Sequence, residues 1–151
     1  MFDKFGEFDT VEELNMAAEG LKKEGDIKSL HELAKENGIA KEDVEDYVSG
    51  ELDELADEMS AAIGKLEVEK EKANDYEKII ADYMITQAAD TEVARAIRRK
   101  GKTVKGALAE MKEQARKKAV NGMAMITDRE GYGIVKGYYL KKEAKKDGQD
   151  K

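Results

Sequence analysis

The chain has 151 residues with one histidine, no cysteine and no proline, and its 34 acidic and 27 basic side chains leave a net charge of -7. The absence of cysteine excludes disulfides, thiol catalysis and thiolate metal sites. No apolar run approaches the roughly 20 residues of a membrane-spanning helix, and 40% charged residues with abundant Ala, Glu, Lys and Leu suits thin helical units with much solvated surface.

The first helix is signalled by Thr10 and Glu13, spaced as a capping box, followed by Val11, Leu14, Ala17, Ala18 and Leu21 at helical spacing and closed at Gly25. Asp26 caps a second helix carrying Ile27, Leu30, Leu33 and Ala34, which stops at Asn37-Gly38. A short third helix, about Lys41 to Val48, presents Val44, Tyr47 and Val48. The fourth is expected from Glu51, where Leu52, Leu55, Ala56, Met59, Ala62, Ile63 and Leu66 form one apolar stripe. Residues 67–74, EVEKEKAN, read as an exposed continuation of the fourth helix or a linker, and their high helix propensity favours a charged, semi-rigid helical connection.

The second half restarts with Asn74 and Glu77, and places Tyr76, Ile79, Ile80, Tyr83 and Met84 on one face. Asp90 caps a sixth helix, Thr91 to Lys100. Thr103 opens a seventh with Val104, Ala107, Leu108, Met111, Ala115 and Ala119 buried, ending at Asn121-Gly122. Thr127 and Glu130 form another capping pair before GYGIVKGYYL. Its three glycines leave helix and hairpin both open over 131–140, although Tyr132, Val135 and Tyr139 suit one helical face. The expected fold is all-α, with an acidic helical unit at 1–66, the connection at 67–74, a basic helical unit at 75–140 and a charged tail at 141–151.

Charge separates along the chain. Residues 1–75 hold 23 acids and 9 bases, a net of -14, and residues 76–151 hold 11 acids and 18 bases, a net of +7. From Glu42 to Gly64 there are nine acids and no lysine or arginine. On helices, Glu51, Glu54 and Glu58 fall at i, i+3 and i+7 with Asp57 beside them, and Glu45 and Asp46 cluster on the helix before. Acids near helix N-termini suit the macrodipole, and charged faces keep proteins soluble. A solvated face therefore stays open as a reading, although neither accounts for the missing cations, since like charges at that spacing repel mildly. Carboxylates at roughly phosphate spacing can enter a groove built for nucleic acid. These six residues are the candidate protein-binding face.

The basic counterpart is VARAIRRKGKTVKG, where Arg95, Arg98, Arg99 and Lys102 fall at i, i+3, i+4 and i+7, with Lys105, Lys112 and Arg116 a second row on the next helix. Such stripes neutralise phosphates, and arginine's planar fork fits carboxylates equally well. The candidates are therefore a nucleic-acid surface, an acidic-partner surface, or a solvated helix face. RRKGKT lacks the first glycine and the preceding strand of a phosphate-binding loop, and GYGIVKG lacks the spacing of a dinucleotide loop.

Enzyme chemistry finds little footing. His31 lies beside a core stripe with no second histidine or cysteine for a triad or metal, and the carboxylates are patterned for surface. No catalytic residue, metal or cofactor is expected; a metal site could be built only from acids, and these lack the loop pattern of a calcium-binding hand. The aromatic and Met side chains sit mostly at core spacing.

The stretch YEKIIADYMITQAADTEVARAIRRKGKTVKGALAEMKEQARKKAVNGMAMITDREGYGIVKGYYL, residues 76–140, resembles the PcfK-like family of bacterial mobile elements, through DYMITQAADTEVA, KGKTVKGAL, AVNGMAMITD and YGIVKGYYL. FGEFDTVEELN through ENGIAKEDVEDY is similar to a leader domain of some members. After Tyr139 the chain departs from the family pattern, with Lys141 and Lys142 in place of acids. Some members are described as type II-A anti-CRISPR inhibitors of Cas9. The resemblance thus implies a protein of a phage or other mobile element that binds Cas9, or its guide-RNA complex, in the bacterial cytoplasm. It assigns no functional residues. The alternative is a nucleic-acid-binding accessory of conjugation using the basic stripe. A homodimer through the tyrosine-rich C-terminal segment is a third arrangement, and no membrane partner is expected.

Overall fold

The Thr10 hydroxyl accepts from the Glu13 amide at 3.1 Å and opens α1 (Val11–Glu24). The reciprocal acid reaches one residue further back than expected, with Glu13 accepting from Asp9 N. Val11, Leu14 and Ala18 are buried against Leu30, Leu33 and Ala34 of α2 (Ile27–Glu36). Val44 and Tyr47 of α3 (Lys41–Ser49) close this first core, while Val48 remains exposed. The computed structural model describes residues 5–117 and 127–141, which form eight helices with no strand among the described residues.

The fourth helix starts later than periodicity predicts. Residues 51–57 are irregular, and α4 runs Glu58–Lys70 with Asp57 as its N-cap, bonded reciprocally to Ser60. Asn15 of α1 provides the reason. Its side-chain amide donates to Ala56 O at 2.8 Å and accepts from Ala56 N at 3.1 Å, so both backbone groups of Ala56 are held by α1 and cannot serve a helix. Leu55 and Ala56 still reach the core, which is why their spacing imitates a helical stripe.

Residues 67–70 are the last turn of α4, so this part of 67–74 continues the fourth helix. Val68 is buried, and the Glu69 carboxylate accepts from Val104 N at 2.9 Å, capping α7 (Val104–Lys117) from a neighbouring helix. After a turn, Asn74 and Glu77 cap α5 (Asp75–Gln87). Its buried face is Glu77, Ile80, Ala81 and Met84, whereas Tyr76 and Ile79 are 70% and 53% exposed. The expected face is displaced because capping draws Glu77 inward.

Asp90 opens α6, which ends at Arg98 and not Lys100 (Thr91–Arg98). The GYGIVKGYYL segment is helix, α8 (Asp128–Leu140), with a full Thr127–Glu130 capping box. Val135 and Tyr139 are buried, and the Tyr132 ring stacks on Tyr83 at 4.3 Å. The expected seventh-helix positions Ala119, Asn121 and Gly122, and all but the first residue of the charged tail, lie outside the described residues.

Two hydrophobic clusters meet inside α4. Ala61 belongs with α1–α3, and Ala62 and Leu66 belong with α5–α8. At this seam Gly38, with φ +69°, crosses Gly64 so closely that a Cβ on Gly38 would stand 2.6 Å from the Gly64 Cα. Glycine is needed at both, for the left-handed backbone at one and for room at the other.

Candidate functional site

The acids of 42–58 form an almost wholly exposed surface. Glu42, Glu45, Asp46, Glu51, Asp53, Glu54 and Asp57 are exposed, and Asp43 and Glu58 are half-buried. Glu45 lies 3.9 Å from Lys41 on its own helix, a contact that exposure makes weak. Glu58 pairs with Arg95 of α6. Because residues 51–57 are not helical, Glu51, Glu54 and Glu58 do not form the expected i, i+3, i+7 row. The first two stand on the segment facing α1, and the third starts α4. Glu54 accepts from Asn15 Nδ2 at 3.2 Å, and Asp57 is occupied as a cap.

A groove of about 530 Å³ runs between α1 and this segment. Glu12, Met16 and Glu19 line one bank and Asp53 and Glu54 the other, and the buried Tyr47 of α3 also contributes to the lining. Burial pushes the Tyr47 hydroxyl pKa up, and the Glu19 and Glu54 carboxylates add to the effect from opposite banks.

The basic residues are distributed differently. The four cations expected as one stripe are not presented together, since α6 stops at Arg98 and residues 99–103 turn away from the helix. Arg98 is 1% exposed, and its guanidinium donates to Phe8 O and Asn37 Oδ1, both at 3.1 Å, and to Ala61 O at 3.5 Å. Lys102 is also buried, donating to Tyr138 O at 2.8 Å with its ammonium 4.6 Å from the Tyr138 ring. Arg99 is half-buried. Arg95 is exposed and turned toward Glu58, Lys105 is 3.8 Å from Glu77, Lys112 is exposed, and Arg116 pairs with Glu113 along α7.

Sequence reasoning passed over a third group, the buried polar hub beneath both surfaces. Lys65 is 1% exposed. Its ammonium caps the end of α6 through Ile97 O at 2.8 Å and Arg99 O at 3.0 Å, and meets Glu7 Oε2 at 3.0 Å. Burial lowers the Lys65 pKa, and Glu7 works against that. Burial likewise lowers Arg98 and raises Glu69, whose bond from Val104 N opposes the rise. Lys65 follows Ala61 and Ala62 by four and three residues, so helical spacing alone places it on the buried face. That signal was present in the sequence and was masked by the residue's charge.

The hub joins the N-terminal segment, the turn after α2, α4 and α6; its cations bond chiefly to backbone carbonyls, while Arg98 Nε and Glu69 Oε1 have no hydrogen-bond partner among the described residues. Among the described residues no group of three or more His, Cys, Asp or Glu side chains is placed to hold a metal, and no helix is long and apolar enough to cross a membrane. The arrangement leaves a charged surface and a groove open to solvent. Comparison with protein-family models, curated proteins and solved structures gives no match to this chain.

Proposed function

We propose that this chain is a non-enzymatic binding protein whose acidic surface occupies a basic groove that otherwise holds nucleic acid. The observation that carries the reading is the run of seven exposed carboxylates between Glu42 and Asp57, with no lysine or arginine from 42 to 64 to balance it. Such a surface is attracted to a nucleic-acid channel and competes with phosphates for its cations, quickly and with strong dependence on salt. On the PcfK-like resemblance, the partner is Cas9 or its guide-RNA complex, met in the bacterial cytoplasm, and the protein acts as an anti-CRISPR of a mobile element. Glu45, Asp46, Glu51 and Glu54 make the contact, with Asp57 and Glu58 placing the segment. The acidic and basic clusters are two functional units joined through α4, the basic one serving as the support.

Less favours the conjugative-accessory reading, because Arg98 and Lys102 are engaged inside the protein. The test is Cas9–guide RNA cleavage of a DNA target with increasing amounts of the protein. Inhibition is expected, and replacing Glu45, Asp46 and Glu51 with lysine should weaken it at least about tenfold while circular dichroism stays unchanged. Full inhibition by that variant removes the acidic surface from the mechanism. No inhibition, together with a gel shift of DNA by the protein alone, transfers the function to the basic residues.

A further inference from the structure

The outer face of α5 carries large apolar side chains that the fold leaves uncovered. Tyr76 and Ile79, one helical turn apart, are 70% and 53% exposed. The cap that draws Glu77 inward explains why these two positions point outward, but it does not explain why the residues there are apolar. Single apolar side chains on a surface are ordinary. These two, however, border a groove of about 400 Å³ formed by α5, α7 and α8. Met111 and Ala115 of α7 and Tyr132 and Val135 of α8 line it further, and Lys112 is its one charged lining residue. An apolar ridge that continues into an apolar groove is a contact surface for another protein.

The charges on this face indicate which protein. Asp75 is exposed at the first position of α5, directly before Tyr76, and Lys112 is exposed on the α7 side of the groove. Neither has an ion pair among the described residues. The acid therefore accompanies the ridge, and the base accompanies the groove. A two-fold axis uses such a surface twice, because a patch that holds both a ridge and a matching groove is complementary to itself. A foreign partner needs only one sign of charge here, whereas a second copy needs both.

We infer that this face joins two copies of the chain in a two-fold pair. Tyr76 and Ile79 of each copy enter the groove of the other, and Asp75 of each faces the partner's Lys112. The contact lies in the α5–α8 cluster and uses none of the exposed acids of α3 and the segment after it. The pair thus carries two acidic surfaces, which goes beyond the binding role proposed above and does not depend on it.

Sedimentation velocity of the full chain, from low to high micromolar concentration, tests the pairing, with thermal unfolding of each variant to confirm an intact fold. The native chain should pass from monomer to dimer mass over that range. Ile79→Glu, which sets a carboxylate on the exposed ridge, should weaken dimerisation at least about tenfold. Asp75→Lys and Lys112→Asp should each weaken it about two- to fivefold, since each brings like charges together across the axis. Combining the two should restore native affinity, because the ion pairs re-form with their signs exchanged. A monomer at every concentration would overturn the inference and leave the face to a different protein or to the chain's own residues 118–126. A dimer untouched by Ile79→Glu, or a double variant no tighter than the single ones, would overturn this face as the contact. None of these measurements involves Cas9, so failure of the pairing and failure of the acidic-surface reading are distinguishable.

Discussion

The crossing of Gly38 over Gly64 provides the most direct test of how the two clusters are held together. In Gly64→Ala the new methyl would overlap the Asn37 carbonyl oxygen and stand 3.0 Å from that of Gly38. Carbon–oxygen contacts are comfortable only near 3.5 Å. Both obstacles are backbone, so no side chain can swing aside to relieve them. The turn after α2 is itself fixed, because Asn37 is fully buried, donating to Leu33 O at 2.9 Å and accepting from Arg98. Relief therefore requires α4 to move relative to α2, which disturbs the seam and the Arg98 bonds together. Overpacking against side chains costs about 1–3 kcal/mol, and a backbone obstacle places this variant at or above the top of that range. For a chain of this length, about 3 kcal/mol lowers the melting temperature by roughly 6–12 °C. Gly20→Ala is the matched control. Gly20 lies in α1, is exposed and has nothing within 4 Å of an added Cβ, so it should gain up to about 1 kcal/mol. Calorimetry and urea unfolding of both variants decide the matter. Gly64→Ala within about 0.5 kcal/mol of the native chain would refute the close crossing.

Three further expectations follow from buried polar groups. Burial holds the Glu69 carboxyl above the ordinary carboxylate range, so between its unfolded and folded values the native state binds more protons, and stability falls as pH rises through that window. Glu69→Gln should flatten this slope, so that its stability relative to the native chain rises from mildly acidic to neutral pH; the opposite trend in urea unfolding would contradict the burial argument. The Tyr139 hydroxyl is buried with no hydrogen-bond partner among the described residues and has its pKa raised well above the ordinary value by burial. Tyr139→Phe should be neutral or up to about 1 kcal/mol more stable, and a clear loss in chemical denaturation would reveal a bond not accounted for. Asn15→Ala leaves both backbone groups of Ala56 without their partners, so a cost of about 1–3 kcal/mol and faster amide exchange at Ala56 are expected; unchanged exchange would separate Asn15 from the shape of the groove.

The helices were largely legible because their signals are local. Capping pairs such as Asn74–Glu77 and Thr127–Glu130, and apolar spacing in α1 and α2, need only neighbouring residues to act. What was misread depends on distant partners. Leu52, Leu55 and Ala56 match helical spacing, yet Asn15, 41 positions away, captures the Ala56 backbone. The Asp57–Ser60 cap was the local signal for the true start of α4. Tyr76 and Ile79 look more apolar than Glu77, but the cap brings Glu77 in and rotates them out. Among the candidate residues, the exposure of the acids could be read because exposed charge needs no partner to persist. The basic stripe could not, since nothing near Arg98 in the chain announces that Phe8, Asn37 and Ala61 will surround it.

The fate of the cations bears on why the acidic surface remains uncompensated. If the halves merely neutralised one another, the acids of 42–58 would face the arginines of α6. Among the described residues one such bridge is seen, Arg95 with Glu58, and Lys65 pairs with Glu7. Both join at the seam, where they position α4. The buried cations Lys65, Arg98 and Lys102 direct their bonds chiefly at backbone carbonyls. A cation bonded to a neutral carbonyl does not discharge a carboxylate elsewhere, and the three are too deep to move toward one. The exposed acids of α3 and the following segment thus keep their field in solution, where it is felt within about a Debye length of ~10 Å at moderate salt. Partner binding through that face should therefore weaken steeply as salt is raised, while the fold, whose buried cations are bonded mainly to backbone carbonyls, should change little over the same range. Unfolding and binding measured across one salt series separate these two electrostatic systems, and a parallel decline in both would show that they are one.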